Sequence, residues 1–417
     1  MEHTDYLILG GGMSGLAFAD RVRDQDYLLC EAEHELGGYC RTVVRDGFTW
    51  DYSGHFFHFR HPDIEKHLVS RMSGQRVLKI ERDSRIYWKG AFIDFPFQKN
   101  IHQLPREDFL DCLVDLFFKK DTEATNFKEM LYGKLGKSIA EMFLIPYNEK
   151  LYATDLSTLD VDAMGRFFPH ADVADIVRNF RQPDNKGYNA TFTYPEGGAI
   201  QYVRALESGL DAKRILLDER VIKIDLGRKV ATTPKREIVF KHAISSAPFP
   251  RLLAIAGVDH DPNLYSYNKV LVFNLGFDRK GLAKAHWVYF PQRELCFYRV
   301  GFYDNIFDSD RMSLYVELGY ERDAVLTDRE IEQARLAVLQ DLKTAGIVDQ
   351  HQLVAWHSVV LDPAYVHITK GSQIDLAQRK EQLRSAGVHS IGRYGSWTYC
   401  SIEDNIVEAR ALADSLR

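Results

Sequence analysis

Hydrophobic and polar positions fall into distinct rhythms along the chain. Tyr6-Leu7-Ile8-Leu9 is a short apolar run ending in Gly10-Gly11-Gly12, and over 13–22 the apolar residues Leu16, Phe18, Ala19 and Val22 recur at helical spacing. Asp26-Tyr27-Leu28-Leu29-Cys30 then reads as a second strand, stopping at Glu31. Strand, glycine turn, helix, strand is the order of a parallel βαβ unit.

Residues 105–185 switch to helical periodicity. Phe109, Leu113, Leu116 and Phe117 mark one amphipathic face, 127–143 is expected to carry another, and Pro105 and Asp121-Thr122 punctuate the first. Strand patterns return at 214–217, 221–224 and 238–240. Over 264–320 aromatic-rich runs such as Val270-Leu271-Val272-Phe273 and Trp287-Val288-Tyr289-Phe290 alternate with polar residues, predicting an antiparallel sheet. Amphipathic helices are expected at 327–345 and 402–416, and no internal repeat or low-complexity linker is visible.

The length of 417 residues exceeds one ordinary core, so two or three lobes are expected. With 45% hydrophobic and 27% charged residues the chain reads as a folded protein. Net charge is −6 without a lysine-rich block, so no nucleic-acid partner is expected, and an anionic ligand would rest on a few placed arginines and helix N-termini. Cys30, Cys40, Cys112, Cys296 and Cys400 are odd in number and never at metal-ligand spacing, which suits reduced thiols and no metal. No secretory leader or membrane-spanning run is read, so a cytoplasmic protein is expected.

Gly10-Gly11-Gly12-Met13-Ser14-Gly15 fits G-x-G-x-x-G between its strand and its helix. Alone it would be an ordinary glycine turn. Here the glycines allow a tight turn, close approach of the backbone to a pyrophosphate, and a helix N-terminus facing the phosphates, with Ser14 in the first turn. Glu31 follows about 20 residues on, where a carboxylate accepts from ribose hydroxyls. The stretch from Glu31 through Gly37-Gly38 to Arg41-Thr42 resembles the E-x-x-x-x-x-G-G-x-x-R-[ST] signature of the glutathione-reductase-type FAD fold, which implies FAD rather than NAD. Val221 resembles that fold's adenine-side strand residue, and Gly392 and Arg393 resemble the turn before its closing helix. Tyr194-Pro195-Glu196-Gly197-Gly198 resembles a turn of amine oxidases and carotenoid desaturases.

Five further segments, in order, resemble UDP-galactopyranose mutases, leaning toward their eukaryotic-like branch. They are Gly54-His55-Phe56-Phe57-His58, Pro96-Phe97-Gln98-Lys99-Asn100, Pro146-Tyr147-Asn148-Glu149-Lys150, Phe297-Tyr298-Arg299, and Gly392-Arg393-Tyr394-Gly395-Ser396-Trp397-Thr398-Tyr399. The resemblance implies an α/β protein with a discontinuous FAD-binding Rossmann-like domain (1–85, 195–255 and 385–417). A helical insertion (100–185) and a mainly antiparallel β-sheet substrate domain (86–99 and 260–384) complete it.

The resemblance further implies pyranose–furanose isomerisation of a UDP-hexose through a sugar adduct on N5 of reduced FAD. By resemblance His55 lies at the flavin, Arg299 holds diphosphate, and Tyr365 and Tyr399 contact phosphate. Gln98 and Asn100 would then face the uridine, and Tyr147, Asn148 and Arg166 the substrate. His58 stays open between a packed histidine and a site residue. The implied partners are a nucleotide-diphosphate sugar and NAD(P)H or a reductase as electron donor, with homo-oligomer formation left open.

The pattern departs at Arg166, one position from the family's arginine, at Lys99 in place of an asparagine, and at Ile306, where a phosphate-contacting tyrosine is expected. Two alternatives therefore stay open: an FAD-dependent redox enzyme of the amine-oxidase, protoporphyrinogen-oxidase or desaturase class, and a non-catalytic flavin-binding protein.

Overall fold

Tyr6 and Ile8 leave strand β1 (Glu2–Leu9) on one side and Leu7 and Leu9 on the other, and the two pairs enter different hydrophobic cores. A strand buried on both faces belongs inside a helix-covered parallel sheet. In the computed structural model, which describes residues 1–120, 123–185, 187 and 190–417, it has that place. The expected break at Asp121-Thr122 lies outside the described residues.

Helix α1 (Met13–Arg21) returns the chain to β2 (Tyr27–Cys30), which pairs in parallel with β1; Glu237–Ser245 pairs in parallel on the other edge of β1. Ile215–Leu216 and Val388–Ser390 extend the sheet in parallel, and Val230–Thr232 and Lys223–Asp225 add antiparallel strands. Leu16, Val203 and Ala409, from α1 and the helices Ile200–Glu207 and Ile402–Ser415, pack on one face. Leu252 and Leu383, from Phe249–Ile255 and Lys370–Ser385, pack on the other. The expected boundary at 384/385 thus falls at the end of that last helix, which itself packs on the first sheet.

The second sheet runs Leu353–Leu361, Asn268–Phe277, Ser313–Glu321, Arg299–Phe302, Trp287–Tyr289, Ser84–Trp88 and Ala91–Asp94. All its pairings are antiparallel except Trp287–Tyr289 with Ser84–Trp88. Period-2 alternation along Asn268–Phe277 sends Leu271, Phe273 and Leu275 under the helix Asp328–Thr344, and Val270 and Val272 into an aromatic core shared with the helical insertion.

One expected helix face is corrected in part. In helix Arg106–Phe118, Leu116 is buried and Phe109 packs on the core as expected, but Phe117 is exposed and the buried stripe runs through Asp108 and Cys112. Asp108 accepts from Trp88 Nε1 and Lys89 Nζ, both at 2.8 Å, and these bonds turn the 108/112/116 stripe inward. The helical stretch expected over 127–143 is interrupted at Gly136, whose φ of 78° ends Phe127–Leu135.

Candidate active site

A cleft of about 570 Å³ opens where the strands of the first sheet end, the usual place for a ligand in an open α/β sheet. The sequence around it explains its shape. Gly10 has φ +101°, a left-handed conformation that lets the chain turn out of β1, and a Cβ on Gly15 would stand 2.0 Å from the Gly10 carbonyl oxygen, so α1 packs directly on the strand end. Nothing lies within 4 Å of where a Gly12 side chain would project, which leaves the helix N-terminus bare toward the cleft.

Gly37 N donates to Gly11 O at 2.8 Å, bringing the second glycine pair beside the first. Glu31 lines the cleft and is buried; its carboxylate accepts from Gly11 N at 2.6 Å and Glu33 N at 2.9 Å, with lone pairs left for a ribose.

The sequence-expected cofactor residues divide into wall and support. Gly10, Gly12, Ser14, Glu31, Gly37, Gly38, Val221 and Arg393 line the cleft. Gly15, Arg41 and Gly392 act from behind it. Arg41 donates to the carbonyls of Leu36 and Glu35 and pins the second glycine turn, and Gly392 lies against Ser14 with its N–H donating to Glu408.

At the far end of this cleft stand His55, Tyr298, Arg299, Glu317, Tyr365 and Tyr399. Burial, with Arg393 and Arg299 nearby, lowers His55 to about 4 against the pull of Glu317, so its imidazole is neutral at neutral pH, and its buried Nδ1 has no hydrogen-bond partner. Arg299 faces Glu317 across neighbouring strands, with Nε and Nη2 at 2.7 and 2.8 Å from its oxygens, and Ser53 Oγ donates to the same carboxylate. Burial works against the Arg299 charge; the Glu317 carboxylate outweighs it and raises the guanidinium pKa. Tyr365 and Tyr399 stack at 5.8 Å, with the Arg393 guanidinium over both rings.

A second cleft of about 350 Å³ meets the first and shares Gly54, Phe56, His58, Phe167, Arg299 and Tyr399 with it. Tyr147, Asn148 and Arg166 line it; Asn148 donates to Leu144 O at 2.7 Å, and its buried Oδ1 has no partner. Arg82, Lys99, Arg166 and Arg299 contribute four cations, and no Asp or Glu lines it among the described residues.

Two expectations change. Gln98 and Asn100 are fully buried and reach neither cleft; Gln98 donates to Pro169 O, and Asn100 to Pro96 O and Asn185 Oδ1. They brace the wall behind Pro169 and Asn185 through these donated bonds, while the buried Oε1 of Gln98 has no partner. Arg166 lines the smaller cleft, where it stacks over Phe167 at 4.4 Å and pairs with Asp404. Ile306 is buried in the aromatic core and lines neither cleft.

Glu317, Arg82 and Trp287 were missed by sequence reading. The signal for Glu317 was a lone acid inside the apolar run Ser313-Leu314-Tyr315-Val316-Glu317-Leu318.

Three comparisons bear on this site. Protoporphyrinogen oxidase 1, chloroplastic, of Spinacia oleracea is 22% identical over 175 residues, 38% of this chain and 31% of that one, so the match spans about a third of that relative. A reduced UDP-galactopyranose mutase superposes with a TM-score of 0.90 at 24% identity, covering 99% of this chain and 93% of that one. A cyclohexylamine oxidase from Brevibacterium oxydans superposes with a TM-score of 0.68 at 14% identity, covering 99% and 98%.

The cleft fits FAD along its length: a carboxylate at the strand end, an open glycine turn with a helix N-terminus midway, and the unpartnered His55 Nδ1 at the far end. A family model described as flavin containing amine oxidoreductase matches residues 13–416, nearly the whole chain. The chain belongs to that family, with FAD as its cofactor.

Proposed function

We propose that this chain is a flavin-dependent nucleotide-sugar mutase that interconverts the pyranose and furanose forms of a UDP-hexose such as UDP-galactose. The observation that carries the reading is the smaller cleft: four cationic side chains, no carboxylate among its described lining residues, and a mouth onto the cofactor cleft at Arg299. Arg299 and Arg166 also pair with Glu317 and Asp404, neither of which lines this cleft; a wall that presents guanidinium and ammonium donors and no carboxylate suits a diphosphate better than the ammonium group of an amine substrate. The likeness to the mutase fold supports the same reading.

Reduced FAD supplies a nucleophilic nitrogen, and the reductant is NAD(P)H or a reductase. The chain's own residues do the rest. Arg299 is held rigid by Glu317 and keeps Nη1 for phosphate; Tyr399 and Tyr365 bring hydroxyls to the same junction, and His55 faces the cofactor uncharged. The aromatic rings of Phe56, Trp287 and Tyr289 exclude water from the sugar.

The partial match to protoporphyrinogen oxidase favours a second reading, an FAD-dependent oxidase. Anaerobic incubation of dithionite-reduced protein with UDP-galactopyranose separates the two. UDP-galactofuranose in the chromatogram, and a hexose added to the mass of flavin extracted after cyanoborohydride, are expected. Unchanged sugar and flavin, with oxygen consumed on a porphyrinogen, would overturn the mutase reading.

A further inference from the structure

Among the described residues, the guanidinium of Arg251 has neither an ion pair nor a hydrogen bond, although Arg251 lines the cofactor cleft and is exposed there. Nothing in the reading of the site so far gives this cation a role.

The backbone fixes the end of the cleft at which it stands. Glu219 N donates to Glu31 O at 2.8 Å and Asp218 N to Glu33 O at 3.0 Å, so the segment leading into Arg220 and Val221 runs beside the end of β2, where a ribose would be held. Arg251 is near enough to Arg220 for the two charges to repel. Arg251 and Ile255 are one turn apart on the helix Phe249–Ile255, and both line the cleft.

Arg220 has its counter-charge, with Nη2 at 3.6 Å from Glu33 Oε1. Arg251 has none. Partial burial and the Arg220 charge lower its pKa, and no carboxylate pulls the other way. The wall thus carries one uncompensated planar cation beside the apolar surfaces of Val221, Pro248 and Ile255.

The parts of FAD can be placed against this wall in order. The phosphates belong at the glycine turn and the N-terminus of α1, and the ribose at Glu31, so the part left for this end is the adenine. A phosphate here would meet the carboxylates of Glu31 and Glu33, which line the same end. A purine brings an apolar, π-rich face instead. Guanidinium is planar and weakly hydrated and stacks on such faces, whereas the ammonium of lysine is a compact, strongly hydrated point charge.

We propose that Arg251 closes over the adenine of bound FAD, its guanidinium stacked on the face of the base, and so slows release of the cofactor. This role lies at the opposite end of the cleft from Arg299 and holds whichever reaction the flavin serves.

The test is the rate at which FAD leaves the purified holoprotein, read from the rise of flavin fluorescence after dilution, at low and at high salt. Arg251 is exposed and unpartnered among the described residues, so its substitution removes no hydrogen bond or ion pair of the fold. Arg251→Ala is expected to release FAD about five- to tenfold faster than wild type at both salt concentrations, the effect of one cation–π contact. Arg251→Lys, which keeps the charge and loses the plane, should stay close to Arg251→Ala. Release from Arg251→Ala at the wild-type rate would overturn the proposal. So would full recovery by Arg251→Lys with a difference that vanishes at high salt, since that behaviour belongs to a phosphate contact.

Discussion

Arg299 and Glu317 lie opposite each other on neighbouring antiparallel strands, joined by two parallel hydrogen bonds of 2.7 and 2.8 Å at the point where the two clefts meet. The pair is a rigid mount. Two of the guanidinium's nitrogens are spent on Glu317, so the third is presented in a fixed direction. Glu317→Gln keeps an acceptor for Ser53 and Arg299 but removes the charge. Breaking a buried pair from one side costs about 3–5 kcal/mol, so the melting temperature is expected to fall by several degrees. Added UDP should restore part of that loss, because a phosphate supplies the missing negative charge. A melting curve unchanged by the substitution would mean that Glu317 is not the counter-charge of Arg299.

Gly15→Ala tests the cofactor turn. The new methyl would stand 2.0 Å from the Gly10 carbonyl, a backbone atom that cannot swing aside, so α1 must withdraw from β1. Overpacking of this kind costs about 1–3 kcal/mol, and FAD affinity is expected to drop by roughly ten- to a hundredfold. Flavin absorbance of the purified variant, and fluorescence titration with added FAD, read it directly. Full retention of FAD would show that the helix does not need to touch the strand.

Acid should destabilise the protein. Burial holds His55, His58 and His389 at about 4, below the roughly 6.5 of an unfolded histidine. The unfolded chain therefore binds more protons between those values, and the stability present above pH about 6.5 is lost as pH falls toward about 4. Asp51 and Asp304, raised to about 6 by burial, act in the opposite sense, losing stability as pH rises from their ordinary range to about 6. The histidines outnumber them, and His102, His170, His242, His286, His357 and His367 are shifted down as well. Melting temperatures measured at pH 5 and pH 7.5 should be lower at pH 5. The reverse order would mean that the buried acids dominate.

The parts of the site legible in the sequence are those made by neighbours along the chain. Gly10, Gly12 and Gly15 announce themselves because one turn must satisfy strand, phosphate and helix within six residues. Arg299 was visible through the resemblance of Phe297-Tyr298-Arg299 to a mutase segment. Its partner was not, since Glu317 meets it only through the register of a strand pair. Gln98 and Asn100 looked like ligand contacts because amides suit uracil; their burial depends on carbonyls and amides of residues 169 and 185, which no local pattern reveals. Asp108 likewise turned its helix through bonds to Trp88 and Lys89 in the preceding hairpin.

Arg166 and Asp404 form the last testable pair. Arg166 lines the smaller cleft yet is tied to Asp404, which also receives Arg60 and closes the capping box with Ser401 at the start of the C-terminal helix. If Arg166 serves the diphosphate, binding must compete with Asp404. Asp404→Asn keeps the cap, since an asparagine oxygen still accepts from Ser401, but weakens the hold on Arg166. A half-exposed pair of this kind contributes about 0.2–1 kcal/mol, so the variant is expected to bind UDP up to about fivefold more tightly. Arg166→Ala should weaken UDP binding, and in the double variant the gain from Asp404→Asn should vanish. Calorimetry on all three variants reads the cycle. A gain that survives without Arg166 would instead assign the effect to Arg60 or to the general field of the cleft.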